Sequence, residues 1–261
     1  MHFQKVIRDL TVLSNIRLND RHFVLDLMAP DPLPTMLPGQ FAQILVEHSP
    51  HTFLRRPFSI HNVDYHQNTI RFLIQIKGDG TRNLSTIKER EILNVIFPLG
   101  NSFSLPVTGK VLLVGGGCGV APLLFLARFL NQNHIHPDIL VGFRTKKEVS
   151  EIESYAKYGN VQVITDDGTE GEKGLVTDHP VFQKERLDYR KIYCCGPEAM
   201  MKAVAGLARF HGIDCEVSLE NTMACGFGVC LCCITPTDKG NERVCVEGPV
   251  FNTNRLNWFG S

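Results

Sequence analysis

Over roughly its first hundred residues the chain sets apolar against polar positions with a period of two. Ile70, Phe72, Ile74 and Ile76 alternate with Thr69, Arg71, Gln75 and Lys77, which predicts a half-buried strand with Leu73 as the exception on its wet face. Comparable runs occur at Lys5–Leu18, Phe23–Met28, Gln40–Glu47, Phe58–Val63 and Ile92–Phe97, with turn residues between them. Six short strands in succession predict a small antiparallel β-barrel over residues 1–105.

After Pro106 the pattern changes to alternating β and α, so a second domain is expected over 106–220. Lys110–Val114 reads as a buried strand, Gly115 to Pro122 as a tight turn and Leu123–Leu130 as an apolar helix. Further strands are expected at Ile139–Phe143, Val161–Thr165 and Lys191–Cys194. Asp166 to Gly174 is a polar loop between them, and Pro197 suits the first turn of a helix. The expected architecture is a Rossmann-like α/β domain with a parallel sheet. Val111–Leu130 is nearly free of charge and long enough to cross a bilayer, but Gly115, Gly116, Gly117, Gly119 and Pro122 interrupt it, so no membrane span is expected.

Composition adds exclusions. With 261 residues the chain accommodates more than one core, and Lys+Arg and Asp+Glu balance at 27 each. A pI near 7.1 leaves no electrostatic footprint for nucleic acid or an anionic membrane. Small molecules and proteins are the expected partners. The first residues carry no apolar export signal, and a reducing cytoplasm suits the cysteines.

Cysteine spacing carries the sharpest chemistry. Five of the nine cysteines lie between Cys225 and Cys245. Cys225, Cys230 and Cys233 give C-x4-C-x2-C, the spacing of plant-type [2Fe-2S] ferredoxins, with Cys245 as a fourth ligand at a shorter interval than in those proteins. Gly226 and Gly228 permit the tight looping that four thiolates on one segment require. Cys232 is a spare, its side chain expected to diverge from that of Cys233. A structural zinc site with four cysteine ligands is the competing reading, although such loops often include histidine and none lies in this stretch. The odd cysteine total speaks against a disulfide framework. A small cluster domain is expected over 221–261, with the tail to Trp258 packed around its loop.

Other stretches admit two readings each. Arg55-Arg56-Pro57-Phe58-Ser59-Ile60 is either a guanidinium fork for a pyrophosphate beside a ring-lining strand or a solvated strand end. Gly78 to Leu84 either offers N–H groups to a phosphate or forms a plain turn capped by Thr81. The strand, glycine turn and helix at 110–130 match a dinucleotide site, but not the G-x-G-x-x-G spacing. Arg144 to Lys147 lean toward NADP or simply solvate a turn, which leaves the choice of cofactor open. Cys195 and Gly196 stand at a strand end where open sheets bind ligands, yet a buried, inert cysteine fits as well.

In this order the pieces resemble the ferredoxin reductase-like flavoproteins, and within them the electron-transfer subunits of class B dihydroorotate dehydrogenase. Arg55 to Ile60, Gly78-Asp79-Gly80-Thr81, the Gly115 to Pro122 turn, Thr165 to Gly168, Cys195-Gly196-Pro197 with Met200-Met201, and the cysteine array followed by Gly248-Pro249-Val250-Phe251 carry the resemblance. It implies FAD at Arg56, Pro57, Phe58, Ser59, Leu73, Ile74, Gln75, Gly80 and Thr81. It implies NAD over Gly115, Gly116, Gly117, Gly119, Cys195 and Gly196, and a [2Fe-2S] cluster on Cys225, Cys230, Cys233 and Cys245. Plant-type reductases usually have tyrosine where this chain has Phe58, so a phenolic hydroxyl is missing. The resemblance further implies an FMN-containing catalytic partner that oxidises dihydroorotate in pyrimidine biosynthesis, in a heterotetramer with two of each chain. No catalytic base is evident in this chain, and the dihydroorotate chemistry is expected on the partner. A sulfide dehydrogenase or ferredoxin-dependent transhydrogenase subunit would share these modules, and a zinc-stabilised binding module is the reading from another class.

Overall fold

A computed structural model of the chain describes residues 4–47, 49, 51–105 and 108–259. Pro106, the expected start of the second domain, lies outside the described residues.

The first unit is a curled antiparallel half-barrel. Its elements are β1 (Val6–Arg17), β2 (His22–Met28), β3 (Phe41–Ile44), β4 (Arg56–Ser59), β5 (Asn62–Asp64), β6 (Thr69–Gln75), helix α1 (Asp79–Leu84) and β7 (Ile92–Leu99). The strands lie in the order β4-β3-β7-β1-β2-β6-β5. The sequence predicts one strand over Phe58–Val63, whereas two form. Ile60 N donates to Gln40 O at 3.0 Å, while His61 N donates to Arg71 O at 2.9 Å, so the chain changes neighbours between those two residues. Apolar residues on the inner faces, among them Leu10, Phe23, Phe72 and Ile74, are fully buried in one core. Leu73, expected on a wet face, is only 3% exposed. It packs with Val24, Val120 and Ala121, because the outer face of β6 is covered by the second unit.

That unit comprises β8 (Val111–Gly116), a 3-10 turn at Gly117–Val120, α2 (Ala121–Gln132), β9 (Asp138–Phe143), α3 (Ile152–Ala156), β10 (Asn160–Thr165), β11 (Glu172–Lys173), β12 (Lys191–Cys195), α4 (Glu198–Phe210) and β13 (Asp214–Ser218). A hairpin, β14 (Ile234–Thr237) with β15 (Gly240–Arg243), and a last strand β16 (Val250–Asn252) follow. The sheet runs β11-β10-β9-β8-β12-β13-β16, parallel except at its final pair. Strand order reverses at β8, which places a crevice at the carboxyl ends of β8 and β12. Every residue of α2 from Ala121 to Ala127 is buried, since the helix is covered on both sides: Phe125 enters the barrel core and its neighbours enter the α/β core. In α4 only Met201, Val204, Ala205 and Ala208 are buried, a single stripe facing the sheet. Pro197 stands one place before that helix rather than inside its first turn. No helix among the described residues is long and apolar enough to cross a membrane.

The tail departs from expectation. Val246 borders the cysteine loop, but β16 pairs with β13, Phe251 opposite Val217, so most of the tail completes the α/β sheet. Trp258 packs against the same core, with Lys202 Nζ 5.8 Å from its ring.

Buried polar contacts lock the two units together. His61, fully buried, donates from Nδ1 to Ala121 O at 2.6 Å, and its Nε2 lies 2.6 Å from Glu151 Oε2. Arg71 forks onto Asp26 at 2.7 and 2.9 Å and stands 3.8 Å from Glu151. Burial pushes the Glu151 carboxyl up, but His61 and Arg71 outweigh it and hold the group below its ordinary range. Removing Glu151 leaves the buried His61 Nε2 without its partner while Arg71 keeps Asp26, and losing a hydrogen bond to a charged group costs about 2 kcal/mol. Glu151→Leu is therefore expected to lower the unfolding free energy by about that amount in urea titrations, and Glu151→Gln, which keeps an acceptor, by less than half of it. A carboxyl with a depressed folded pKa contributes fully above its unfolded value. The difference between wild type and Glu151→Leu should thus be constant at neutral pH and shrink as the pH falls below about 4.

Candidate functional site

Two cavities open at the carboxyl ends of β8 and β12 and share a wall. The smaller, about 500 Å³, lies between the half-barrel and the segment that follows β13. Arg56, Pro57, Phe58 and Ser59 of β4, Leu73 and Gln75 of β6, and Gly80 and Thr81 of α1 line it. Ile74 is the exception among the residues expected there, since its side chain is fully buried in the barrel core and only its backbone remains for a ligand. That backbone lies beyond Arg71, where pairing with β5 ends.

The arginine pair divides. Arg55 turns to β7, donating to Asn94 O at 2.9 Å and Asn94 Oδ1 at 2.5 Å, and serves the scaffold. Arg56 turns to the cavity. A Cβ on Gly80 would stand 3.3 Å from its Nε, so glycine leaves room for the guanidinium. Both readings of the Gly78 turn hold in part: Gly80 and Thr81 line the cavity, while the Thr81 hydroxyl accepts from Lys77 N at 2.8 Å and Gly78 N at 3.0 Å and closes the turn.

The larger cavity, about 830 Å³, is floored by Gly116, Gly117, Gly119 and Gly196. Gly115 and Cys195 lie beneath this floor, and Cys195 is fully buried with its thiol pushed well up by burial. The two turns touch through bare backbone: a Cβ on Gly119 would fall 2.4 Å from Gly196 Cα and 2.5 Å from Cys195 O. No side chain fits between them. Of the basic stretch at 144–147 only Arg144 lines the cavity, while Lys146 is paired with Glu170 at 2.9 Å in solvent.

Gln75, Lys77, Cys118, Leu219, Glu220 and Asn221 border both cavities. Glu220 is exposed at the rim of this wall, and desolvation followed by Glu220 pushes the half-buried Cys118 thiol up to about 12. Of this wall sequence reasoning named Gln75, and it missed Leu219, Glu220 and Asn221 with the neighbouring Thr222 and Met223. These residues form no motif, and what places them is the course of the chain after β13.

The cysteine loop begins two residues past Met223. Cys225 Sγ accepts from Val229 N at 3.3 Å and Cys230 N at 3.5 Å, and Cys233 Sγ accepts from Cys245 N at 3.4 Å. Cys230 thus lies against the Cys225 sulfur and Cys245 against that of Cys233. Among the described residues no three His, Cys, Asp or Glu side chains gather as a single metal ion would require. Burial opposes ionisation of Cys225, but N–H donors from Cys230, Phe227 and Val229 prevail and hold its thiol down at about 6. Burial and Cys233 push Cys245 up to about 12. Gly226 and Gly228 take φ of 77° and 91°, as the looping requires. Arg243 braces the loop, donating to Gly228 O at 3.2 Å and to Glu247 Oε2 at 3.1 Å. Cys232 is exposed and Cys233 buried, so the two neighbours diverge as expected.

Comparison with known proteins agrees with this geometry. Residues 220–257 match the model of the iron-sulfur cluster binding domain of dihydroorotate dehydrogenase B, and residues 113–206 match that of the oxidoreductase NAD-binding domain. The dihydroorotate dehydrogenase B (NAD(+)) electron transfer subunit of Caldanaerobacter subterraneus subsp. tengcongensis is 38% identical over 244 residues, 92% of this chain and 94% of that protein. Its counterpart in Fusobacterium nucleatum subsp. nucleatum is 36% identical over 252 residues, 94% and 96% of the two chains. Among solved structures, an NADH-dependent reduced ferredoxin-NADP oxidoreductase superposes with a TM-score of 0.86 at 29% identity, over 95% of this chain and 90% of that one. The ferredoxin reductase of carbazole 1,9a-dioxygenase shares the fold with a TM-score of 0.69 at 21% identity, covering 82% and 68%. With the half-barrel, the parallel sheet and the cysteine loop in one order and relatives matched along nearly their whole length, this chain belongs to the family of dihydroorotate dehydrogenase B (NAD(+)) electron transfer subunits.

Proposed function

We propose that the chain relays electrons from a dihydroorotate-oxidising partner subunit to NAD+, with FAD in the smaller cavity, NAD in the larger and a [2Fe-2S] cluster on Cys225, Cys230, Cys233 and Cys245. The observation that carries this reading is the shared wall: Leu219, Glu220 and Asn221 border both cavities, and Cys225 follows two residues after Met223, which lines the smaller. Flavin exchanges electrons singly or in pairs, a cluster passes one, and nicotinamide carries a hydride, so together these groups supply the conversion between the two kinds of traffic.

The residues present suit all three groups. Arg56 beside Gly80 offers a cation with room for a pyrophosphate, and Pro57, Phe58, Ser59 and Leu73 offer a flat, mostly apolar wall for a ring system. Phe58 contributes ring contact alone. Ile74 serves through its backbone. Gly116, Gly117, Gly119 and Gly196 let a dinucleotide approach the main chain at the switch point, with Gly115 and Cys195 as the packed layer below. Two thiol pairs match a cluster of two irons, each of which takes two thiolates.

The partner side follows from the surface. Phe227, Val229 and Leu231 are 48%, 74% and 59% exposed on the cysteine loop beside exposed Cys230, an apolar patch next to the proposed cluster. An FMN-containing catalytic chain docked there, two of each in a heterotetramer, would exchange electrons with the cluster. None of the nine cysteines is joined in a disulfide, which suits a reducing cytoplasm. The proposed units are 1–105 for FAD, 106–220 for NAD and 221–261 for the cluster, the last lending β16 to the sheet of the second.

The visible spectrum of anaerobically purified protein tests the reading: flavin bands over a broad iron-sulfur background, both bleached on reduction, are expected. A colourless chain after reconstitution with FAD, iron and sulfide would defeat it. Cys225→Ala and Cys245→Ala should each abolish electron transfer from the catalytic subunit while flavin stays bound, measured as coupled NAD+ reduction against flavin content. Gly119→Ala should weaken NADH binding tenfold or more, about 1.4 kcal/mol, because the added methyl forces the two turns apart. Flavin content should not change, and titration of flavin reduction with NADH reads the affinity.

A further inference from the structure

Gln43 borders neither cavity, yet its side chain meets the cysteine loop. It lies in β3 between Pro57 of β4 and Ile96 of β7. Ala42 and Ile44 enter the barrel core, so Gln43, like Phe41, points to the opposite face. There it is fully buried. Its Nε2 makes one long contact, 3.5 Å to Ala224 O, and its Oε1 is buried without a hydrogen-bond partner. A carboxamide carried into an otherwise packed face with half its bonding capacity unused calls for an explanation other than packing.

Its neighbours supply one. Ala224 and Gly226 flank Cys225, and Gln43 holds both. Gly226 lies flat on the carboxamide: with φ at 77°, an added Cβ would stand 2.5 Å from Gln43 Cδ, 2.6 Å from Nε2 and 2.9 Å from Oε1. The first cysteine of the loop is thus fixed through the peptides on either side of it, by a residue hydrogen-bonded within the sheet beside β4. β4 in turn lines the smaller cavity.

We infer that Gln43 is a positioning residue for the iron-sulfur cluster, holding Cys225 at a set distance from the strand that lines the flavin cavity. This rests on the proposed assignment of that cluster. Electron transfer slows steeply with distance, and groups that orient metal ligands typically change metal affinity ten- to a hundredfold when removed. The role therefore shows in cluster retention as well as in turnover.

The experiment compares anaerobically purified wild type with Gln43→Leu, which keeps the bulk, and Gln43→Glu, which keeps the shape but cannot donate to Ala224 O. Flavin and iron per chain, the rate of iron release to a ferrous chelator and the electron paramagnetic resonance of the reduced cluster are measured. Both variants are expected to keep full flavin, to release iron about tenfold faster and to show a shifted or broadened cluster signal. Release rates and signals equal to wild type in both variants would overturn the positioning role alone. Loss of flavin together with iron would assign Gln43 to general packing and overturn it too. A wild-type chain that holds flavin but takes up no iron would overturn the cluster assignment itself, and the positioning role with it.

Discussion

One crossing of the chain governs the rest of the molecule: the run from Ser218 to Met223, which leaves β13, passes between the two cavities and delivers Cys225. Its position is enforced at both ends. Leu219 N donates to Pro249 O at 2.9 Å, and β16 pairs with β13 beside it, Val250 opposite Ser218. Asn101, at the end of the half-barrel, donates to Glu247 O and Val250 O, each at 2.8 Å, and accepts from Val250 N at 2.9 Å. The strand out to the cysteine loop and the strand back are therefore stitched to the sheet and the barrel alike. A relay between the three proposed sites would need fixed separations, and here main-chain pairing together with the Asn101 side chain sets them rather than a linker.

The same crossing explains what the sequence could and could not tell. Periodicity located nearly every strand of the half-barrel, because a two-residue repeat reports directly which residues share a face. It could not report what covers the other face. Leu73 reads as an exposed exception only until the α/β unit is laid over β6, whereupon it becomes an interface residue. The strand expected over Phe58–Val63 breaks because Ile60 and His61 bond to different neighbours, a fact of pairing that no local pattern encodes. β13 and the wall after it were missed for the same reason, since five residues of strand followed by an irregular run carry no motif. The cysteine spacing was legible because the thiols are close in sequence as well as in space.

Motif residues divide their labour in ways that only the fold decides. Of the two adjacent arginines, one braces β7 and the other faces a cavity. Of the turn at 115–119, Gly115 packs beneath Val120 and Leu123, whereas Gly119 meets the backbone of Gly196. Cys195, which sequence left between ligand edge and inert core, is fully buried, while Gly196 beside it reaches the cavity. In each case the functional and the structural reading apply to neighbouring residues. A motif is better regarded as a local compromise between support and site than as a set of contacts.

The four proposed cluster ligands differ in burial. Cys233 and Cys245 are 2% and 0% exposed, whereas Cys230 is open to solvent and Cys225 is half-buried. One thiol pair therefore faces inward and the other outward, and the outward pair carries Phe227, Val229 and Leu231 around it. On the proposed assignment, Cys225 and Cys230 would hold the cluster on its solvent side and would gain a dry environment when that apolar patch is covered. The negative charge of thiolates is screened by water while the patch is open and less so once it is closed. A partner docked there would then raise the local cost of that charge, so the three apolar side chains that would meet it also set the surroundings of the outward cysteines.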